Sequence, residues 1–362
     1  ITTRIDVGEY ADFSLDFETI RGHLEAGDKA AAKGVYLDGA NVELTAGRKT
    51  PLKFTSDALA AASDRTPWYL FHLYGLSNLS IDPAENNKHL NYADTFIQMA
   101  FEGESDIDDA IISLGMWMYA THLLYDGAYV CEKRTMADNP ALFDLKGGGI
   151  DEFIALWIGR NQEVGSPEGN SLYAWAQDIG SLFGVADPEV PVNTVIKTLY
   201  QEAASAISIN RACTSQNTAT VETLYSVANR ITNLMVVPLY QSLFFNIIDE
   251  NKIGMRIYGR ALVPQLSKCR GSTFKRLQGY FLTDEGINLD LTGPVDVEVL
   301  RRSLQHLLDR HESLRMTFSP DGTWMCILEH LVLDLPELEL ADAQAFDDLC
   351  EQVMRQRFDL VA

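Results

Sequence analysis

The sequence predicts a mostly α-helical protein, with a helical-bundle domain over residues 1–270, a junction over 271–286 and a partial α/β segment over 287–362. Upstream of residue 270, apolar residues repeat at helical spacing and no segment sustains the alternation of a strand. The C-terminal segment instead changes from the period of a strand to that of a helix and back. With 362 residues the chain is also too long for one compact core, which favours two domains.

The helical domain consists of successive amphipathic segments joined by polar loops. Apolar residues on one face predict a first helix over 16–39, and a polar loop follows over 41–51. Further helices are predicted over 67–76, 89–101, 108–132, 150–159, 171–183, 192–212 and 219–250. Long helices with short connections are typical of a bundle.

The C-terminal segment has the pattern of a strand, a helix and a hairpin. Apolar and polar residues alternate over 289–292, and a Gly-Pro pair ends that strand. Asp296 is a suitable N-cap for a helix with leucines at helical spacing over 297–308. A strand over 314–318 and a returning strand over 324–328 complete the unit, joined by a turn.

Composition excludes several classes of function. The net charge of −22 is distributed over both parts of the chain, so a nucleic acid would be repelled and is not expected as a partner. The one basic run, over 252–279, is interpreted as a solvated face. The longest apolar run, over 234–248, contains polar residues and is shorter than the roughly 20 residues of a membrane span. We expect a buried core helix there and no membrane span.

Five cysteines are scattered without the CxxC spacing of a structural zinc site. The sequence leaves three alternatives open: a Cys131–Cys213 disulfide, a Cys213–Cys269 disulfide, or isolated buried thiols. The chain begins at Ile1 without a methionine and is interpreted as a fragment or a processed piece, so a preceding signal peptide is left undecided.

A stripe of polar residues on the helix over 108–132 is the main candidate for a binding site. Tyr119, His122, Asp126 and Tyr129 fall at i, i+3, i+7 and i+10, which places them on one face. Phenolate, imidazole and carboxylate are ligands that hard ferric iron prefers, so the stripe predicts an iron site. The alternative is that these residues are hydrogen-bonded members of the bundle core.

Glu152 is the fifth candidate ligand. Asp151 and Glu152 open a predicted helix after a glycine-rich stretch, and the helix dipole alone explains two acidic residues in a first turn. A metal-binding role for Glu152 therefore requires that the stripe around His122 lies opposite it.

No complete catalytic site is visible in the sequence. There is no Ser-His-Asp or Cys-His arrangement, no GxGxxG, no HExxH, and no lysine after the run of glycines at 147–149 to make a phosphate loop. The helical domain is therefore predicted to be a binding module, and no residue is assigned a catalytic or cofactor-binding role.

Three segments of the helical domain resemble the algal iron-assimilation family. They are GVYLDGAN (Gly34–Asn41), IDEFIALWIG (Ile150–Gly159) and ITNLMVVPLYQSLFFNI (Ile231–Ile247), in the same order as in the family. The resemblance spans roughly residues 12–267. It implies a helical, secreted or cell-surface protein that is induced by low iron or high CO2 and binds or takes up ferric iron. The resemblance does not indicate which residues of this chain would bind the metal.

The C-terminal part resembles the opening of a condensation domain of non-ribosomal peptide synthetases. The similarity rests on LTGPVDVEVLRRSLQHLLDRHESLRMTF (Leu291–Phe318) and on FDL at 358–360. It implies a chloramphenicol-acetyltransferase-like fold that joins thioesters held on carrier proteins. The catalytic HHxxxDG motif of that family is absent here and is expected a few tens of residues beyond Ala362. His311 belongs to a structural segment of the family.

Two hypotheses follow for function. In the first, the chain is an iron-binding module outside the cytoplasm with ferric iron as its ligand. In the second, it is part of a cytoplasmic peptide synthetase whose partner is a carrier protein with a phosphopantetheine arm. A junction created artificially from two genes is a further alternative, because no Pro/Ser-rich linker separates the two parts.

Overall fold

A computed structural model of the chain describes residues 3, 6–57, 92–103, 106–137, 149–209 and 211–266, and in the C-terminal part 301–302, 305–306, 309, 316–318, 325–327 and 329–332. The chain divides into two compact units, Ile1–Ile287 and Asn288–Ala362. The predicted junction over 271–286 and the predicted helix over 67–76 lie outside the described residues.

In the described part of the first unit the regular secondary structure is helical, apart from an isolated bridge between Thr45 and Arg48. This confirms the mostly α fold class. The helices are α1 Gly8–Ala11, α2 Phe13–Glu25, α3 Lys29–Asp38, α4 Phe54–Asp57, α5 Tyr92–Glu102, α6 Ile107–Ala110, α7 Trp117–Ala137, α8 Gly149–Ile158, α9 Leu172–Leu182, α10 Pro191–Ser208, α11 Ala219–Ile248 and α12 Lys252–Leu266.

The core is centred on α7 and α11. Helix α11 packs against α7, α10 and α12, and α7 also packs against α8. The fully buried Trp117 indole donates a hydrogen bond to the Met235 carbonyl at 2.8 Å, one turn before Pro238 in α11. Pro238 lacks the N–H that would bond to the Leu234 carbonyl, and a proline opens the turn before it, where Met235 lies. Trp117 thereby joins the two central helices.

The prediction of one helix over 16–39 is wrong, because the chain forms α2 and α3 with a break between them. Gly27 adopts a φ of 75°, which favours glycine at the end of a helix. Asp28 then caps α3 by accepting a hydrogen bond from the Ala31 N–H at 2.9 Å. A glycine that ends one helix, followed directly by the N-cap of the next, therefore divides one amphipathic pattern into two helices.

The long helix predicted over 108–132 is present but contains an irregular turn. Helix α6 continues into a π-helical segment, Ile111–Met116, and α7 follows directly. All six residues of this segment are buried. Hydrogen bonds from i to i+5 widen the helix by about one extra residue per turn, and such turns are frequent at functional sites. The candidate ligand stripe begins three residues later.

The basic run beginning at Lys252 forms α12, which the sequence pattern does not predict. One of its residues is not solvated as expected: the Arg260 side chain is buried, with its guanidinium carbon 4.2 Å from the centre of the Phe96 ring. The Arg260 carbonyl accepts a hydrogen bond from the buried Tyr92 hydroxyl at 2.7 Å. Part of the basic run therefore belongs to the core. The buried guanidinium of Arg260 is accommodated there by stacking on the Phe96 ring.

The segment Gly34–Asn41 is held by buried polar contacts. The Tyr36 hydroxyl donates to the Asp94 carboxylate at 2.8 Å, and Asn41 donates to Asp16 from its backbone N–H at 2.6 Å and its side-chain amide at 2.8 Å. Asp16 is buried and fixes the turn after α3. This family-like segment is therefore an anchor between α2, α3 and α5.

A disulfide joins Cys131 in α7 to Cys213 after α10, 82 residues apart. Of the alternatives left open by the sequence, this is the pairing that the structure contains. Both cysteines are buried. Disulfides of this kind persist in secreted and periplasmic proteins and are rare in the cytosol.

Helix α11 is the one helix among the described residues that is long and apolar enough to cross a membrane by length and composition. One face, with Ile231, Met235 and Leu239, is buried in the core. The core helix of a soluble protein meets the same criteria of length and composition. Near its end, Phe244 and Ile248 are exposed.

In the second unit, β1 (Met316–Phe318) pairs antiparallel with β2 (Met325–Ile327), so that Met316 lies opposite Ile327. The hairpin predicted from the alternating pattern is confirmed. The strand predicted over 289–292 lies outside the described residues. The described residues of this unit do not support the chloramphenicol-acetyltransferase-like fold implied by the resemblance.

Candidate metal centre

Helix α7 brings three of the predicted ligands to one place. Tyr119 is buried and makes T-shaped ring contacts with Phe13 and Phe54 at centroid distances of 6.2 and 5.6 Å. Its ring stacks on the imidazole of His122 at 5.9 Å. Asp126 follows one turn later and interacts electrostatically with both His122 and Tyr119. Tyr119, His122 and Asp126, which share a helix face in the sequence pattern, therefore lie close enough to interact in the structure.

His122 has a buried nitrogen that no neighbour uses. Its Nδ1 atom is buried and has no hydrogen-bond partner among the described residues. Burial lowers the pKa of the imidazole, and the negative charge of Asp126 only partly opposes this. A histidine with a lowered pKa is neutral at pH 7, so one ring nitrogen carries a lone pair that can bind a metal ion. A buried polar atom without a hydrogen-bond partner lowers the stability of the folded protein unless a ligand binds to it.

Glu152 lies opposite this stripe, as its metal-binding role requires. Helices α7 and α8 approach closely because both carry glycine at the contact: a Cβ on Gly149 would lie 2.2 Å from the Leu123 carbonyl oxygen and 2.9 Å from the Gly127 nitrogen. Glu152 follows in the first turn of α8 and interacts electrostatically with Asp126.

The surroundings of Glu152 are strongly unfavourable to its charge. Burial raises the pKa of the Glu152 carboxyl to about 7, and the negative charges of Asp126, Glu9 and Asp151 add to this against an opposing hydrogen bond with Tyr10. The neighbouring Asp151 is itself buried and accepts a hydrogen bond from the Tyr200 hydroxyl at 2.6 Å. A cation placed beside Glu152 would relieve this repulsion.

The short helix α1 adds two residues that the sequence pattern does not reveal. Tyr10 shares hydrogen-bonding interactions with Glu152 and with Tyr119, and Glu9 contributes negative charge. Burial raises the pKa of the Tyr10 phenol, and so does the charge of Glu152. Burial likewise raises the pKa of Tyr119, with further contributions from Tyr10 and Glu152. A four-residue helix has too few residues for a periodic signal, so Tyr10 could not be found that way.

Tyr129, the remaining predicted ligand, does not join this cluster. Its ring lies beneath the Lys133 ammonium group at 5.0 Å, and it interacts electrostatically with Tyr225 on α11. The Tyr225 hydroxyl in turn donates to Glu132 at 2.7 Å. Ten residues of helix span about 15 Å along the axis, so Tyr129 lies near Tyr225 of α11, far along α7 from Tyr119, which interacts with residues of α1 and α8.

A cation bound at this centre would need the phenols among its ligands. Among the described residues, no three side chains of the His, Cys, Asp and Glu types converge to hold a metal ion. The candidate centre is therefore mixed: Tyr10 and Tyr119, together with His122, Asp126 and Glu152. These oxygen and nitrogen donors fit a hard cation, and the unpartnered His122 nitrogen and the repelling carboxylates fit a positive charge between them.

Comparisons with known proteins agree with the two resemblances. The model of a family described as "low iron-inducible periplasmic protein" matches residues 3–243. A 76-residue stretch is 37% identical to a probable non-canonical nonribosomal peptide synthetase, CymA, from Salinispora arenicola (strain CNS-205). That stretch is 20% of this chain and only 1% of the synthetase. No solved structure matches the chain. Because the family match covers most of its length, the chain belongs to the family of low iron-inducible periplasmic proteins.

Proposed function

We propose that the helical unit binds one ferric ion as its cargo in the centre lined by Tyr10, Tyr119, His122, Asp126 and Glu152. The two phenols would be ligands together with at most two of the other three side chains, and the remaining carboxylate would supply negative charge nearby. The observation that carries this proposal is the buried, unpartnered Nδ1 of His122 within a group of phenols and mutually repelling carboxylates. The five residues that line the centre come from α1, α7 and α8, so the fold rather than one segment forms it. Since no catalytic apparatus is visible in the sequence, the proposed role is binding and delivery.

The raised phenol pKa values favour ferric over ferrous iron. A neutral phenol must lose its proton to bind a metal, and the surroundings of Tyr10 and Tyr119 oppose that loss. A trivalent, strongly Lewis-acidic ion can displace these protons, whereas a divalent ion gains less from each phenolate. Imidazole and carboxylate ligands alone would discriminate less between the two oxidation states.

The proposed location is outside the cytoplasm. The family description names a periplasmic protein induced by low iron, and a module that collects scarce iron would act at the cell surface or in the periplasm. The Cys131–Cys213 disulfide supports an oxidising compartment.

Titration with ferric citrate tests the proposal. Binding should give a visible tyrosinate-to-iron charge-transfer band and quench tryptophan fluorescence, because Trp117 adjoins the stripe in α7. Tyr119→Phe and Tyr10→Phe should each weaken the band, while the matched control Tyr129→Phe, on the same helix but outside the cluster, should leave it unchanged. Absence of both signals in the unmodified protein would refute iron binding at this centre.

A second candidate function concerns only the C-terminal unit. The 76-residue match to the synthetase has the same length as the predicted segment 287–362, which supports a condensation-domain origin for that part. In that case a carrier protein with a phosphopantetheine arm would be the partner. Sequencing the transcript through 271–286 and past Ala362 should show a continuous reading frame that reaches HHxxxDG. A stop codon before that motif would eliminate this function, and a break within 271–286 would show an artificial junction.

A further inference from the structure

Tyr10 is the one residue of the candidate centre that lies on a very short helix. Helix α1 has four residues, and its N-cap residue Val7 makes no side-chain capping hydrogen bond. A helix of one turn is not stable by itself in water, so α1 keeps its conformation and place through contacts with α8 and α2. These contacts therefore decide whether Tyr10 reaches Tyr119 and Glu152.

Arg160, just beyond the end of α8, contacts α1 at both of its ends. Its guanidinium donates from Nε to Asp12 Oδ1 and from Nη2 to Asp12 Oδ2, the latter at 3.2 Å. A Cβ on Gly8 would lie 2.8 Å from Nη2, so the guanidinium also lies directly against the Gly8 backbone. Gly8 and Asp12 are one helical turn apart, whereas Tyr10 is halfway between them and projects to the other side. Arg160 therefore holds α1 from the side away from the candidate centre.

The backbone of Arg160 makes a further contact with the same segment. Its N–H donates to the Ser14 hydroxyl at 2.8 Å, and that hydroxyl donates to the Ala11 carbonyl at 2.8 Å. Ser14 is buried, and Gly159 ends α8 with a φ of 72°, where a Cβ would lie only 2.9 Å from the Ser14 Cβ. The start of the Arg160 side chain is therefore fixed beside the end of α1.

The charges around α1 require a cation at this position. The hydrogen bond with Asp12 raises the pKa of Arg160, and the charges of Asp12, Asp6 and Glu9 raise it further. Without the guanidinium these carboxylates would repel one another, and Glu9 would also repel Glu152. A planar guanidinium that binds both oxygens of one carboxylate fixes direction as well as distance. Arg160 therefore both neutralises and orients α1.

We propose that Arg160 is a positioning residue of the candidate centre, which holds Tyr10 in place and thereby sets how long bound iron is retained. This inference rests on the proposed iron binding and concerns the lifetime of the bound ion. The other residues of the centre lie on α7 and α8, which pack against each other. Movement of α1 would remove one phenolate ligand and open the centre, while the donors on α7 and α8 stay in place.

Release of iron to a chelator tests the inference. The ferric-loaded full chain is mixed with excess EDTA, and the decay of the tyrosinate-to-iron band is followed. Arg160→Gln should release iron about three- to tenfold faster, as expected for a partly exposed bidentate pair. Arg160→Lys, which keeps the charge without the planar fork, should be intermediate. The matched control Arg230→Gln breaks an exposed pair with Glu202 between α11 and α10 and should leave the rate unchanged.

Combination with Tyr10→Phe distinguishes positioning from a general loss of stability. In the Tyr10→Phe background, Arg160→Gln should not accelerate release further, because the ligand that it holds is already absent. Hydrogen exchange of the iron-free protein is the second measurement. The Tyr10 N–H, which donates to the Val7 carbonyl at 3.0 Å, should exchange faster in Arg160→Gln, with exchange in α7 and α8 unchanged.

Three results would overturn the inference: unchanged release from Arg160→Gln, equal acceleration in the Tyr10→Phe background, or faster exchange throughout α7 and α8. Unchanged release with a normal charge-transfer band would leave the proposed function intact. Absence of the band in the unmodified protein would instead refute the proposed function. The hydrogen-exchange comparison needs no iron, so it would then test by itself whether Arg160 holds α1.

Discussion

Glu152 illustrates how a single ionisable residue couples the candidate centre to pH. Its pKa is raised from 4.5 to about 7 in the folded protein, so between these values the folded chain retains a proton that the unfolded chain has lost. The contribution of this group to the stability of the iron-free protein therefore falls as the pH rises from about 4.5 to 7. Above pH 7 the folded protein carries an unfavourable buried charge.

Glu152→Gln should remove this contribution. At pH 8 the iron-free variant should be more stable to urea than the unmodified protein by about 1–3 kcal/mol, and at pH 5 the two should be similar. The same variant should bind ferric iron more weakly, because a negative charge at the centre is lost. Glu163→Gln, at an exposed site, should change neither property. A variant with unchanged pH dependence would contradict the assigned charge interactions.

His122 allows a second test at the scale of one side chain. Since its Nδ1 lacks a partner, His122→Phe removes a costly buried polar atom and should leave the iron-free protein at least as stable. Ferric affinity, measured by competition with a chelator, should fall about tenfold or more. His23→Phe, at the end of α2, is the control. A purely structural histidine would give the opposite result, with reduced stability and unchanged iron binding.

The packing of α7 against α8 decides where Glu152 lies. Gly149→Ala would place a methyl group 2.2 Å from the Leu123 carbonyl oxygen, so the two helices must separate. We expect a loss of about 1–3 kcal/mol in unfolding free energy and a weaker iron band. Gly34→Ala in α3 has no heavy atom within 4 Å and should instead stabilise by about 0.5–1 kcal/mol. Equal effects of the two substitutions would refute the close contact.

Element by element, the sequence predicts those parts that depend on local periodicity. The stripe of Tyr119, His122 and Asp126 follows from helical spacing, and a metal-binding role for Glu152 depends on its facing that stripe. Tyr10 cannot be predicted in this way, because its helix is too short to show a period. Tyr129 lies apart from Tyr119 because ten residues span about 15 Å along the helix axis. The break at Gly27 is not predicted by periodicity, because the same apolar face continues across it.

At the scale of the whole molecule, the Cys131–Cys213 disulfide links distant parts of the first unit. Replacing both residues by serine removes a constraint on an 82-residue loop and should lower the free energy of unfolding by about 2–4 kcal/mol. Thermal unfolding with and without reductant provides the measurement. Reductant should destabilise the unmodified protein and leave the double variant unaffected. If both proteins respond equally, the bond does not form in solution.

The π-helical segment Ile111–Met116 has a consequence for the directions in which the side chains before and after it point. Asp109 before it accepts a hydrogen bond from Tyr258 of α12, and Tyr119 after it faces α1 and α8. Deleting one residue from the segment would restore an ordinary helix and turn the preceding part by about 100°. Asp109 would then leave Tyr258, while the donors on α7 would keep their places. The extra residue of the π-helical turn therefore sets the rotation of α6 relative to α7. Deleting one codon would be enough to change which way the side chains of α6 point.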